Sequence, residues 1–148
     1  MHLAEHLEKD FVIALKAKKT EEVAVLRMLR AAAKNKQIEL RRELTEAELL
    51  DVLAKQVKQR QESIEQFSAA GRTDLAQAEE RELTVLRAYL PEPLGSAELA
   101  DAVETAIAEL QASGMKDMGR VMNAILGKHA GQVDGKELST LVRTRLLS

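Results

Sequence analysis

Pro91 and Pro93 are the only prolines in 148 residues, and one residue separates them. A proline inside a helix removes a hydrogen bond and clashes with the preceding turn. A chain almost free of proline is therefore free to be helical over long stretches. At Pro91-Glu92-Pro93-Leu94-Gly95 a helix cannot continue, because each proline also pushes the residue before it towards extended backbone. The break divides the sequence into residues 1–93 and 94–148, with a helical subdomain expected on each side.

Capping residues and glycines divide these stretches into seven expected helices. The first runs over about 2–17. Thr20 caps a second, about 21–42, with Glu21 and Glu22 in the first turn, where the helix dipole favours anions. Thr45-Glu46-Ala47-Glu48 is a capping box and opens a third helix to about 69. Gly71 stops it, and Thr73 starts a fourth to about 90. A fifth begins at Ser96 and ends at Ser113-Gly114. Asp117 caps a sixth, about 118–129, and the box Asp134-Gly135-Lys136-Glu137 precedes a seventh, about 135–147. Leu49, Leu53, Val57, Ile64 and Phe67 fall on one stripe of the third helix. Met118, Val121, Met122 and Ile125 repeat that spacing in the sixth, and Leu138, Leu141, Val142 and Leu146 in the seventh. The expected fold is all-α: an N-terminal bundle of about four helices and a smaller C-terminal three-helix subdomain.

Composition narrows the chemistry. Aromatic residues make up only 2% of the chain, so the core is built from aliphatic side chains, which suit helix packing. There is no cysteine, which excludes disulfides, thiol catalysis and thiolate metal sites and points to a reducing compartment. The first residues carry charge early and have no apolar run, so no signal peptide is expected. No apolar stretch approaches the ~20 residues of a membrane helix. The expectation is a cytoplasmic protein with no cofactor and no membrane partner. A net charge of −2 gives no global attraction to nucleic acid, so DNA is not expected as a partner, and RNA would need a local patch.

One patch stands out. Between Lys16 and Arg42, nine lysines and arginines face only Glu21, Glu22 and Glu39. At 100° per residue, Arg27, Arg30, Lys34, Arg41 and Arg42 share one side of the second helix, beside Leu26, Leu29, Ala33 and Leu40. Such a row can follow phosphates, displacing counterions as it neutralises them. Charge alone favours a solvated face whose aliphatic stems cover core edges. No aromatic residue lies among these cations to stack a base.

A second set comprises charges on apolar faces. Arg60 lies on the stripe of the third helix, and Glu79 and Glu82 lie near Leu75, Leu86 and Leu90 on the fourth. Paired carboxylates can do acid–base work. No His, Ser or Lys lies near them in sequence, so a structural ion pair fixing helix register is the favoured reading. The third set lies between Lys116 and Lys136. Arg120, Lys128, His129 and Lys136 surround a glycine-containing loop and can grip a phosphate backbone, with help from the N-terminus of the last helix. An ordinary capped connection explains the same residues. Gly119, inside a first helical turn, is expected to mark a close helix–helix approach. His2 and His6 share a helix face, but two histidines fall short of a zinc site, and no metal is expected. No P-loop, Gly-x-Ser-x-Gly or dinucleotide motif occurs.

Taken together, these residues resemble the YqeY family. The likeness lies in Leu26-Arg27-Met28-Leu29-Arg30-Ala31 with Asn35 and Ile38, and in Lys58-Gln59-Arg60 with Ser63, Phe67, Gly71-Arg72 and Asp74-Leu75. It continues in Glu82, Leu86, Tyr89-Leu90-Pro91 and Leu94. Asp117-Met118-Gly119-Arg120-Val121-Met122 and Gly131 through Asp134 are also similar to the C-terminal tail of GatB, a component of the tRNA-dependent amidotransferase. The resemblance implies tRNA and amidotransferase subunits as partners, because that tail is associated with recognising misacylated tRNA. Transamidation itself, a carbon–nitrogen ligation with glutamine as amido donor, belongs to other parts of that enzyme, and fold kinship does not transfer chemistry. The expectation is a non-catalytic binding module for tRNA or a tRNA-bearing complex, with Lys128, Lys136 and Arg120 contacting phosphates from the C-terminal subdomain and Arg27, Arg30 and Lys34 as a second surface. An accessory component of an amidation enzyme and a protein adaptor without RNA contact are the alternatives.

Overall fold

A computed structural model describes residues 2–148. Seven α-helices and one short 3₁₀ turn, with no strand, account for the regular structure of the described residues. The chain divides into two compact units, one ending at Leu90 and the other Pro91–Ser148.

The first unit holds α1 (Leu3–Lys16), α2 (Thr20–Leu40), α3 (Glu46–Ala69) and α4 (Thr73–Arg87). Each buries one aliphatic stripe. Leu3, Leu7, Phe11 and Ala14 of α1 meet Val25, Leu26 and Leu29 of α2, Leu49, Leu53 and Val57 of α3, and Leu83 and Leu86 of α4. The start of α3 follows from local chemistry. Thr45 Oγ1 accepts from the Glu48 N–H (3.2 Å), and Glu48 Oε1 accepts from the Thr45 N–H (2.9 Å). Loss of such a cap costs about 1 kcal/mol. Thr45→Ala is expected to lower the denaturant midpoint of the first unit accordingly without changing the slope of its transition. At the far end, Gly71 adopts φ +75°, and its N–H and that of Arg72 donate to Ser68 and Phe67. This closes α3 through the left-handed backbone that glycine accepts freely. The last turn of the unit is fastened to α1. The Tyr89 hydroxyl donates to Asp10 Oδ2 (2.6 Å), and His6 meets the Tyr89 ring edge-on at 5.3 Å. Burial, followed by this bond to Asp10, pushes the Tyr89 phenol well above its usual range.

The second unit holds α5 (Ser96–Leu110), the 3₁₀ turn Met115–Asp117, α6 (Met118–Lys128) and α7 (Gly135–Leu147). Its core is Leu99, Val103, Ala106, Val121, Ile125, Leu138 and Val142. The segment after the prolines is pinned within this unit: the Leu94 N–H donates to Gln132 O (3.0 Å), and Gln132 Nε2 donates to Glu92 O (3.1 Å).

Several local expectations are corrected. Thr20 is the first residue of α2 and caps nothing; Lys19 precedes it without a side-chain cap. Helix α4 ends at Arg87, because residues 88–90 tighten into i→i+3 turns before Pro91. Helix α5 ends at Leu110, where Gln111 turns left-handed at φ +52°. Asp134 accepts from the Lys136 N–H (3.0 Å), but Glu137 makes no return bond among the described residues, so the second capping box is only half formed. Asp117 does not cap α6. It is buried and clamps the connection behind it, accepting from the Ser113 N–H (2.9 Å) and Arg120 Nη2 (2.7 Å). These two bonds, the backbone one first, hold its carboxyl below the usual range. The clamp is therefore fully present above that range and lost as pH falls through the depressed value. A side chain at Gly119 would meet nothing within 4 Å, so close helix approach does not explain this glycine.

Candidate functional site

The cationic row on α2 is shorter than its sequence pattern. Leu40 ends the helix and Arg41 turns left-handed (φ +58°), which takes Arg41 and Arg42 off the face shared by Arg27, Arg30 and Lys34. Arg42 instead forms a two-pronged pair with Glu48, Nη1 to Oε1 at 2.6 Å and Nη2 to Oε2 at 2.8 Å. That pair is the main reason the Glu48 carboxyl is pulled down to about 2.

The three residues left on the face are exposed and lie at i, i+3 and i+7, so they form one row. Arg30 is fixed in place: Nε donates to Glu8 Oε1 (2.8 Å), and its guanidinium carbon lies 4.3 Å from the centre of the Phe11 ring. Arg27 lies farther over the same ring, at 5.8 Å. Neither Arg27 nor Lys34 enters an ion pair among the described residues.

The four basic residues of the second unit have different surroundings. Residues 91–148 carry eight carboxylates against six lysines and arginines. Lys128 and His129 line a hollow of about 300 Å³ shared with Glu98, Asp101 and Glu109 of α5. A polyanion reaching them meets three carboxylates as well. Arg120 is committed to Asp117 and to Leu110 O (3.3 Å), which makes it part of the connection between α5 and α6. Lys136 is exposed in the first turn of α7 and enters no ion pair among the described residues.

Arg60, on α3, is 4% exposed. Nη1 donates to Gln56 O (3.2 Å) and Gln56 Oε1 (2.9 Å), and Nη2 reaches Met28 Sδ at 3.7 Å. Nε lies 3.4 Å from Glu82 Oε2, an ion-pair distance, yet makes no aligned hydrogen bond. Burial first, then the neighbouring Glu82 charge, pushes the Glu79 carboxyl above its usual range against the pull of Arg60. The three groups form one cluster between α3 and α4, bordered by Met28 from α2. Sequence reasoning missed Met28, because nothing local in α2 signals a sulfur acceptor for a guanidinium on another helix.

Sequence reasoning also missed a cleft of about 470 Å³ in the first unit, walled by α1, α2 and the start of α3, with Arg30 and Lys34 at its rim. Among the described residues no three His, Cys, Asp or Glu side chains converge as metal ligands, and no helix is long and apolar enough to cross a membrane. His2 and His6 face Glu46 (3.7 Å) and Asp10 (3.2 Å) respectively.

A family model described as Yqey-like protein matches residues 4–146. Among curated proteins, the chain is 38% identical over 111 residues to "Altered inheritance of mitochondria protein 41, mitochondrial" of Eremothecium gossypii, covering 73% of this chain and 61% of that protein. The Lachancea thermotolerans protein of the same name is 35% identical, with 73% and 59% covered. The Pyrenophora tritici-repentis one is 31% identical over 140 residues, with 93% and 77% covered. The matched stretch is thus less than two thirds of the length of the first two. Their names assign these relatives to mitochondria, and that finding overturns the cytoplasmic location expected from the sequence.

Proposed function

The chain belongs to the Yqey-like protein family, and on that premise we propose that it is a non-catalytic module that binds the phosphate backbone of tRNA or of a tRNA-bearing complex. The observation that carries this reading is the exposed row Arg27, Arg30 and Lys34 on α2, in which Arg27 and Lys34 are free of ion pairs among the described residues. Of the nine cations between Lys16 and Arg42, Lys19, Arg30, Lys36 and Arg42 are held in ion pairs, which leaves Arg27 and Lys34 as the free charges of this face among the described residues. Unpaired cations on a rigid helix neutralise phosphates without first breaking an internal bond. The resemblance of residues 117–134 to the amidotransferase tail supports tRNA over other polyanions. The carboxylates beside Lys128 and His129 favour α2 as the main surface, with Lys136 and Lys128 secondary and Arg120 acting through the connection it holds.

Fluorescence anisotropy with labelled total tRNA, at low and physiological salt, tests the reading. Micromolar binding that weakens with salt is expected. Arg27→Glu/Lys34→Glu is expected to weaken it at least about tenfold and to reduce the salt slope by about 1 for each phosphate no longer neutralised. Lys128→Ala/Lys136→Ala is expected to do less. Absence of binding at low salt removes the RNA reading and directs the search to amidotransferase subunits as protein partners.

A further inference from the structure

We propose that the cleft between α1 and α2 binds a small anionic amphiphile, a straight aliphatic chain ending in a carboxylate or phosphate. Its half-exposed walls are Ala33 of α2 and Leu44 before α3, above a floor of Leu7, Leu26, Leu29 and Leu49, which belong to the buried core. At about 470 Å³ it lies within the ~300–1,000 Å³ typical of small-ligand sites. An aliphatic lining of this kind favours an apolar body over ordered water. No aromatic side chain lines the cleft, so a stacked base or ring has no platform there.

The rim selects the head group. Glu8 is the only carboxylate of the lining, and Arg30 Nε already neutralises it at 2.8 Å. Phe11 holds the guanidinium from beneath, and its two outer nitrogens make no hydrogen bond among the described residues. Lys34, one helical turn further on, enters no ion pair among the described residues. With Glu8 offset by Arg30, the rim carries one free positive charge, on Lys34, and the outer guanidinium nitrogens of Arg30 add N–H donors beside it. One oxyanion head accepts from both while its chain lies against Ala33 and Leu44, over the leucine floor, and charge-assisted bonds of this kind are the strong ones. A neutral amphiphile gains no charge pairing with Lys34, which stays hydrated, and a cationic one is repelled. The site shares Arg30 and Lys34 with the row proposed for phosphate binding, so the filled variants below, which leave both cations in place, separate the two readings: they should weaken the amphiphile and leave tRNA binding unchanged.

Titration with dansyl-undecanoate at monomeric concentrations tests the site, with dodecanoate, dodecyl phosphate and dodecanol as competitors. Saturation at one equivalent is expected, with displacement by both anions and much less by dodecanol. Ala33→Phe fills the cleft from its α2 wall. Ala4→Phe fills the exposed mouth without touching the core and serves if the first variant misfolds. Each is expected to weaken the probe on the order of tenfold, as is Lys34→Glu. Equal affinity in folded filled variants, equal competition by dodecanol, or no saturable signal overturns the proposal. So does response to anionic phospholipid vesicles with none to the monomeric probe, which would mark a membrane-facing patch instead.

Discussion

Leu138→Ala is expected to remove most of the stability of the Pro91–Ser148 unit. Leu138 is 0% exposed, among Leu99, Val103, Val121, Ile125 and Val142. Truncating a buried leucine costs about 3–5 kcal/mol, through lost transfer energy and the cavity left behind. A domain of this length holds about 3–9 kcal/mol in total, from the usual ~0.05–0.15 kcal/mol per residue. The substitution therefore takes a large share of the whole, in a unit too small to absorb a void elsewhere. Amide hydrogen exchange reads this directly. Protection in α5, α6 and α7 should fall by about two to three orders of magnitude. A fall below about tenfold would mean that Leu138 does not hold these helices together.

The second large effect is expected from Arg60→Met, at about 3 kcal/mol, because breaking a buried pair leaves charge uncompensated. The value lies at the low end of such losses because the Glu82 side chain is 31% exposed and partly solvated. Methionine fills much of the volume of arginine, so the loss reports charge and hydrogen bonds more than a cavity. The pH dependence separates the two further. Glu79 already has a raised carboxyl, for which burial is the main cause and Arg60 the opposing influence. A folded carboxyl with a raised pKa binds its proton before the unfolded one does, so its penalty is full above the raised value and vanishes as pH falls through it. Without Arg60 that penalty grows. The variant should therefore regain part of its deficit between neutral pH and the carboxylate range, while Arg60→Met/Glu79→Gln should start from a smaller deficit and regain little. A thermal transition of the first unit unchanged by Arg60→Met would show that the pair does no structural work.

The features legible in the sequence were those whose causes are local. The box at Thr45 and Glu48 lies within four residues, and the stop at Gly71 needs only the one residue that accepts positive φ freely. The all-helical class follows from the scarcity of proline and the period of the leucines. Features set by a distant partner were not legible. Arg41 ends α2 in a left-handed turn without glycine to announce it, and Arg42 then swings to Glu48, so a row extrapolated along an ideal helix ran too far. Asp117 has the chemistry of a helix cap, but its carboxylate serves Ser113 and Arg120 instead. The environment of Lys128 depends on α5, which contributes three carboxylates from nearly twenty residues away and beyond. The cleft beside Arg30 arises only when three helices meet, and no stretch of sequence contains it.

The bond from Tyr89 to Asp10 bears on how the chain is made. It joins residues 79 positions apart, the first helix to the last turn before Pro91. Ribosomes add about 5–20 residues per second, so α1 emerges several seconds before its partner exists. Throughout that interval α1 can pair with α2, its neighbour in sequence, but the hydroxyl that fastens it to the end of the unit is still untranslated. The unit therefore closes late in synthesis. A nascent chain stalled before Tyr89 therefore holds α1 without this fastening, which forms only after synthesis has run far enough past Pro91 for Tyr89 to clear the exit tunnel.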